Sequence, residues 1–293
     1  MKNNSKIIWY IGIVFILSYG WQYLIFRTGG VDSNLFPFLM YIPGIVTVIY
    51  LLVTKRGFRK IGWGLKKWKY IFPAVFIPLV VSLIVMFVIL YFNWGEMTQK
   101  LFVFNDGYLE NSYIQLILGK HKQTILYFIL NVTLSHIVFL IIGGLFALGE
   151  ELAWRGLLQE YFLRKYGFIY GFLLIGIIWG YWHLPIILMG YNFPEHPVLG
   201  GLVLMPLGTI FLSVFLGWLY LRSQSIWMPS LAHASGNLFS GFIFMIEISH
   251  GSTLRGILWI SAWGIVAALC MINLLKNKPD FWQVKSAITD NKK

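Results

Sequence analysis

Leu145-Phe146-Ala147-Leu148-Gly149-Glu150-Glu151-Leu152-Ala153-Trp154-Arg155-Gly156-Leu157-Leu158 reads as part of a membrane-spanning helix, yet it carries Glu150, Glu151 and Arg155. Ionisable groups are costly in hydrocarbon and persist there when they have a partner or a task. Two further hydrophobic stretches bring other polar groups, His183 in one and the pair His233 and Asn237 in the other.

The whole chain fits that setting. Its 293 residues are 58% hydrophobic, 18% aromatic and 12% charged, against about 25% charged in an ordinary soluble domain. The apolar residues come in runs of about 20, the length a helix needs to cross a bilayer. Eight spans are expected: Ile7–Phe26, Leu35–Val53, Tyr70–Phe92, Thr133–Tyr161, Phe168–Met189, Leu199–Leu221, Ile226–Ile248 and Leu254–Leu275. Thr133–Tyr161 is longer than one crossing requires and should tilt or project past the interface. The predicted fold is all-α: a polytopic membrane helix bundle forming one domain over residues 1–293. The polar connection Asn93–Gln123 is long enough for a short interfacial helix.

Lys and Arg number 23 and Asp and Glu 11, for a net charge of +12. Lys55, Arg56, Arg59, Lys60, Lys66, Lys67 and Lys69 crowd the loop between the second and third spans. Lys2 and Lys6 precede the first, Arg164 and Lys165 follow the fourth, and Arg222 follows the sixth. Lys276, Lys278, Lys285, Lys292 and Lys293 trail the eighth. The positive-inside rule puts all of these in the cytoplasm, with both termini, in a multi-pass protein of the cell membrane. Trp63 and Trp68 in the basic loop suit contact with an anionic leaflet, making the lipid bilayer its partner. No nucleic-acid-binding module accompanies the charge, so nucleic acid is not expected as a partner. The first span has a basic start but a long apolar run with no small-residue cleavage site, and is read as a retained helix. The single cysteine, Cys270, excludes an intramolecular disulfide and a cysteine-based zinc site.

Depth ties the three polar segments together. Glu150 lies 14 positions before Arg164, about 21 Å along a helix, and His183 lies about 22 Å from the start of its span. His233 and Asn237 lie about 10 and 16 Å into theirs, from the same side. Direction separates the two carboxylates, because helix neighbours point about 100° apart while i and i+4 share a face. Glu151 and Arg155 have that spacing and read as a brace, which leaves Glu150 to face a cavity. His233 and Asn237 also share a face. Trp179 sits one turn before His183, and Pro185 follows it and should kink the helix. His136, near the outer end of its span, reads as interfacial and without partners; His121, His196 and His250 fall in or beside outer loops.

At these residues the chain resembles the CPBP family, the type II CAAX prenyl proteases and the bacterial proteins associated with bacteriocin processing and immunity. Glu-Glu-x-x-x-Arg matches Glu150, Glu151 and Arg155. Aromatic-x-x-x-His matches Trp179 and His183, with Trp where Phe is usual. His-x-x-x-Asn matches His233 and Asn237. The likeness covers residues 141–242. It implies an intramembrane endopeptidase with an eight-helix core, a cavity open to the cytoplasm and a membrane-associated peptide or protein as substrate. Amide hydrolysis needs an activated water, an oxyanion site and a proton for the leaving amine. Glu150 is the expected base, His183 a second hold on the water, and His233 with Asn237 the oxyanion hole. Glu151, Arg155 and Trp179 support them.

Two alternatives stay open. Glu150, His183 and His233 would also suffice as three zinc ligands with an open position. However, His-Glu-x-x-His is absent, and zinc would leave no separate base except the braced Glu151. No cofactor is therefore the expectation, and zinc the alternative. The other alternative is a non-catalytic membrane scaffold or bacteriocin-immunity protein, which has no need of Glu150 beyond the braced pair. A transporter would need a polar path across the bilayer, which the one-sided clustering opposes.

Overall fold

The computed structural model describes residues 2–55, 57–65, 67–97, 103–105, 107–110, 116–119, 122–248 and 251–279. Among the described residues, six segments are long and apolar enough to cross a membrane: Ser5–Arg27, Phe36–Val53, Trp68–Tyr91, Ile125–Trp182, Pro197–Ser223 and Thr253–Lys276. They contain helices α1 (Lys2–Arg27), α2 (Tyr41–Val53), α3 (Ile71–Tyr91), α4 (Ile125–Glu151) and α5 (Glu160–Trp182). After α5 come α6 (Leu184–Leu188), α7 (Pro197–Leu199), α8 (Met205–Ser223), α9 (Trp227–Phe244) and α10 (Ser252–Lys276). The protein is a polytopic helical membrane bundle.

The segment Ile125–Trp182 is two crossings, not one. Gly167 breaks α5 with φ 75° and ψ −176°, a conformation open to glycine because it lacks Cβ. The chain folds back there: a Cβ on Gly171 would lie 3.1 Å from the Leu163 backbone nitrogen. Counting α9, the described residues hold the eight expected passages. α9 falls outside the apolar set because it carries Ser230, His233, Ser235, Asn237 and Ser240.

Three boundaries differ from expectation. α4 begins at Ile125, well before Thr133, and continues through a π-helical stretch, Leu152–Gln159, into α5. α5 stops at Trp182, short of the expected end at Met189. There Gln22 of α1 bridges the break: its Nε2 donates to Trp182 O at 2.9 Å and its Oε1 accepts from Ile186 N at 2.8 Å. Proline at 185 cannot donate to the preceding turn, so the chain restarts as α6. α9 stops at Phe244, and Ile246–Ile248 forms a strand, β5, instead of extending the helix to Ile248.

The Asn93–Gln123 connection holds strands where an interfacial helix was expected. Among the described residues these are β1 (Gly95–Met97), β2 (Val103–Asn105), β3 (Tyr108–Glu110) and β4 (Lys122–Thr124). β1 pairs antiparallel with β5, Gly95 opposite Ile248. β2 pairs with β3, Asn105 opposite Tyr108. An Asp-Gly step between paired runs is a strong hairpin signal, and Asp106-Gly107 supplies one. Lys66, Asp106, His121 and His250 lie outside the described residues.

The bundle has two distinct ends. At one, the basic loop docks on the start of α9. Ile226 N donates to Gly62 O at 2.9 Å, Trp227 Nε1 to Trp63 O at 3.0 Å, and Tyr220 OH to Ile61 O at 2.8 Å. At the other end gather the α1–α2 connection, the β1–β5 ribbon and residues 189–196, with Phe36 and Tyr191 ring centroids 5.0 Å apart. α4 and α9 pack together, with α2 and α3 on their flanks, while α8 packs between α5 and α10.

Beside the charged stretch the backbones of α2 and α4 touch. A Cβ on Gly44 would lie 2.7 Å from Gly149 O, and one on Gly149 would lie 2.4 Å from Met40 O. Small residues let membrane helices approach this closely. Gly149→Val should therefore lower the melting temperature in detergent, since overpacking costs about 1–3 kcal/mol or more. Gly12→Ala, whose Cβ meets nothing within 4 Å, is the control. Equal melting of the two variants would contradict the contact.

Candidate active site

Glu150, Glu151 and Arg155 are buried, at 2%, 0% and 0% exposure, so each polar atom must find a partner inside the protein. Arg155 Nη1 donates to Glu151 Oε1 at 3.0 Å, the expected i, i+4 pair. Glu150 is not left without partners. Its Oε2 accepts from Trp154 Nε1 at 3.1 Å and from Trp179 Nε1 at 2.6 Å. The spacing from Glu150 to Trp154 repeats that from Glu151 to Arg155, so the signal was present in the sequence. Each carboxylate is tied to the residue four positions on. These ties open the π-helical stretch, a geometry common at functional sites.

Glu151 has a second partner from another helix. His233 Nδ1 of α9 lies 2.8 Å from the same Oε1 that receives Arg155. A carboxylate acceptor fixes the proton on Nδ1, so Nε2 is the ring nitrogen left for the cavity. His183 is oriented in the same way: its Nδ1 lies 2.9 Å from Trp179 O. Asn237 is exposed on the cavity face of α9, one turn beyond His233.

Trp179 sits at the centre. Its indole N–H reaches Glu150, and its carbonyl holds His183. The Arg155 guanidinium carbon lies 4.5 Å from its ring centroid, and the His233 ring packs edge-on at 5.3 Å. Arg155 Nε and Nη2 have no hydrogen-bond partner among the described residues. The Trp179 ring face stands against them, a cation–π contact that strengthens when desolvated. Glu151 Oε2 is also without a hydrogen bond among the described residues.

Glu150, Trp179, His183, His233 and Asn237 line one cavity of about 180 Å³. It does not run toward the basic loop. Its other walls come from Phe36 and Met40, Tyr191 to Phe193, the first half of α8, Phe244, and the start of α10 at Arg255. These belong to the opposite end of the bundle. The cavity reaches from the polar cluster toward the end of the bundle opposite the basic loop. The reason is packing: Ile61, Leu157, Leu158, Leu219 and Ile226, all buried, fill the basic-loop end.

No group of three His, Cys, Asp or Glu side chains among the described residues is arranged to hold a metal ion. Glu150 Oε2 receives two N–H donors and Nδ1 of each histidine is occupied, which leaves Glu150 Oε1 and the two Nε2 atoms to the cavity. Two residues that position the site gave no warning in the sequence. Gln22 holds the α5–α6 break beside His183, and Tyr19 OH donates to Tyr181 O at 2.7 Å. His136 is not an isolated interfacial residue either, since its ring stacks on Phe239 of α9 at 6.0 Å.

Residues 130–239 match the family model described as type II CAAX prenyl endopeptidase Rce1-like. The matched segment contains every motif residue from Glu150 to Asn237, and it supports a CPBP-family intramembrane protease. That family supports, in general terms, a hydrolase: an intramembrane endopeptidase of the CAAX type. No curated protein matches the chain.

The brace has a measurable consequence. Arg155→Ala leaves Glu151 buried with His233 alone, and removing one partner of a buried pair typically costs about 3–5 kcal/mol. The variant should melt several degrees lower in detergent and lose activity with it. Wild-type melting in an inactive Arg155→Ala protein would move Arg155 from the brace to the substrate.

Proposed function

We propose that the protein is a metal-independent glutamic endopeptidase that cleaves a membrane-associated peptide or protein. The observation that carries this reading is the cavity shared by Glu150, His183, His233 and Asn237, with only one oxygen of Glu150 committed to indole donors. Oε1 is then the atom that takes a proton from water as the water oxygen attacks the scissile carbonyl. Neutral His183 presents an unprotonated Nε2 and holds the same water. The carbonyl oxygen becomes the oxyanion, with Asn237 Nδ2–H as one donor. His233 donates from Nε2 only as the imidazolium, and Glu151 is the counter-ion for that form. Protonated Glu150 then delivers its proton to the departing amine as the C–N bond breaks, which returns the carboxylate. Zinc has no part in this scheme.

Glu150→Gln should abolish cleavage while preserving folding, since the amide oxygen still accepts from Trp154 and Trp179 but takes no proton from water. His183→Ala should be nearly as severe. Asn237→Ala should retain a trace, because loss of one oxyanion donor lowers kcat by about 10²–10³-fold. Comparative proteomics of membranes holding wild-type or Glu150→Gln protein supplies the readout, a product that disappears. A membrane proteome and biological effect unchanged by Glu150→Gln would leave the scaffold reading in its place. Loss of activity on chelation, restored by zinc, would make zinc the activator.

The orientation follows from the basic loop. We place both termini in the cytoplasm of a cell-membrane protein, with the cavity facing outward. In a Cys270→Ser background, single cysteines at Lys67 and Val31 should label from opposite sides. Labelling of both from one side would refute the arrangement.

A further inference from the structure

Tyr19 and Gln22 lie on one face of α1, a helix outside the matched segment 130–239. Gln22 is 0% exposed. A buried primary amide in an apolar helix is costly unless its donor and its acceptor are both used. Both are used at the α5–α6 break. An unbroken helix joins Ile186 N directly to Trp182 O. Here the Gln22 amide is inserted between them, accepting from the first and donating to the second. The same unbroken helix would bring the N–H of residue 185 to Tyr181 O, but proline has none. Tyr19 OH makes that bond instead, at 2.7 Å. Two side chains of α1 thus serve the three backbone groups that the break at Pro185 leaves open.

The break reaches His183 through its backbone. In a regular α-helix His183 N would donate to Trp179 O. It donates to Gly180 O instead, at 3.1 Å, the tighter spacing of a 3₁₀ turn. Trp179 O is thereby left to the His183 ring, whose Nδ1 lies 2.9 Å from it. A carbonyl oxygen only accepts, so Nδ1 carries the proton and the neutral ring keeps Nε2 as its free acceptor. A straightened helix would return Trp179 O to the backbone and release the ring. We propose that Tyr19 and Gln22 are positioning residues for His183. By holding the helix broken they select its tautomer, and so the ring nitrogen that it presents to the cavity. The consequence for catalysis rests on the protease reading, in which Nε2 holds the attacking water.

Nitrogen NMR of the full chain in nanodiscs, with isotope-labelled histidine and at a pH where free imidazole is neutral, reads the tautomer. The His183 signals are those lost in a His183→Asn protein. In the wild type they should report a proton on Nδ1. Gln22→Met keeps the length of the side chain and removes its donor and its acceptor. It should move His183 to the mixture of tautomers that free imidazole shows. A folded Gln22→Met protein with the wild-type tautomer would overturn the proposal, as would a wild-type His183 protonated on Nε2. Tyr19→Phe is the second arm, and it serves even if Gln22→Met does not fold. It should lower the melting temperature in the wild type, and lower it less beside Pro185→Ala, which returns a backbone donor to Tyr181 O. Equal losses in the two backgrounds would overturn the clamp. Where a Glu150-dependent product is found, Gln22→Met should lower its yield about tenfold or more, since a misplacement of about 1 Å can cost about 10²-fold. An undiminished yield would count against the proposal in the same way. If no product depends on Glu150, the protease reading fails by itself, and the tautomer and the melting comparison still decide whether α1 positions His183.

Discussion

One carboxylate oxygen, Glu151 Oε1, receives Arg155 Nη1 at 3.0 Å and His233 Nδ1 at 2.8 Å inside a bundle that leaves Glu151 no exposed surface. Two hydrogen bonds of this kind would be worth little at a surface, where water competes. In the membrane interior the alternative is an uncompensated charge, so the arrangement is close to obligatory. It fixes the rotation of α4 relative to α9, because only one rotation brings Glu151 and His233 together. It also fixes the His233 tautomer and so decides which ring nitrogen meets the cavity. Glu151 is therefore a positioning residue for His233 as well as a brace for Arg155.

Trp179 carries the same logic to α5. Phenylalanine is usual at this place in the resembling family, and it would offer the ring face to Arg155 and the carbonyl to His183 but no N–H to Glu150. The indole adds a 2.6 Å bond to the carboxylate. With Trp154 it holds Oε2 from two directions, which leaves the carboxyl little freedom to rotate. Trp154 meets a wider aromatic wall edge-on, lying 6.0 Å from Trp182, which in turn lies 4.6 Å from His183. Glu150, Glu151 and Arg155 are thus buried beside these rings, at the edge of the cavity.

The fold was legible wherever hydrophobic length decided it. Apolar runs about one bilayer long marked the crossings, and the i, i+4 rule marked the Glu151–Arg155 pair. It was less legible where a residue acts through a distant partner. Gln22 has an ordinary place in an apolar run, and nothing local says that its amide closes a helix break 160 residues away. The Glu150–Trp154 tie was readable by the rule applied to Glu151 and Arg155, but indole is easily taken as bulk and not as a donor. The β1–β5 ribbon was hidden because each strand has only three residues and finds its partner across the chain. The direction of the cavity was hidden too, because it depends on which end of the bundle side chains fill.

That last point explains why α9, which bears two of the site residues, is the least membrane-like of the crossings. A helix facing lipid must be apolar on that face, but α9 packs against α3, α4 and α8. Its small residues allow the approach: a Cβ on Gly143 of α4 would lie 3.2 Å from Ala234 Cβ. Its serines are satisfied by backbone, Ser230 Oγ donating to Ile226 O at 2.8 Å and Ser235 Oγ to Val75 O of α3 at 2.9 Å. The remaining face, from His233 to Phe244, lines the cavity. Low hydropathy in α9 is thus what a helix needs when one side must pack closely and the other lines a cavity with polar walls. The helix is the least apolar crossing for the same physical reason that the candidate site is built on it.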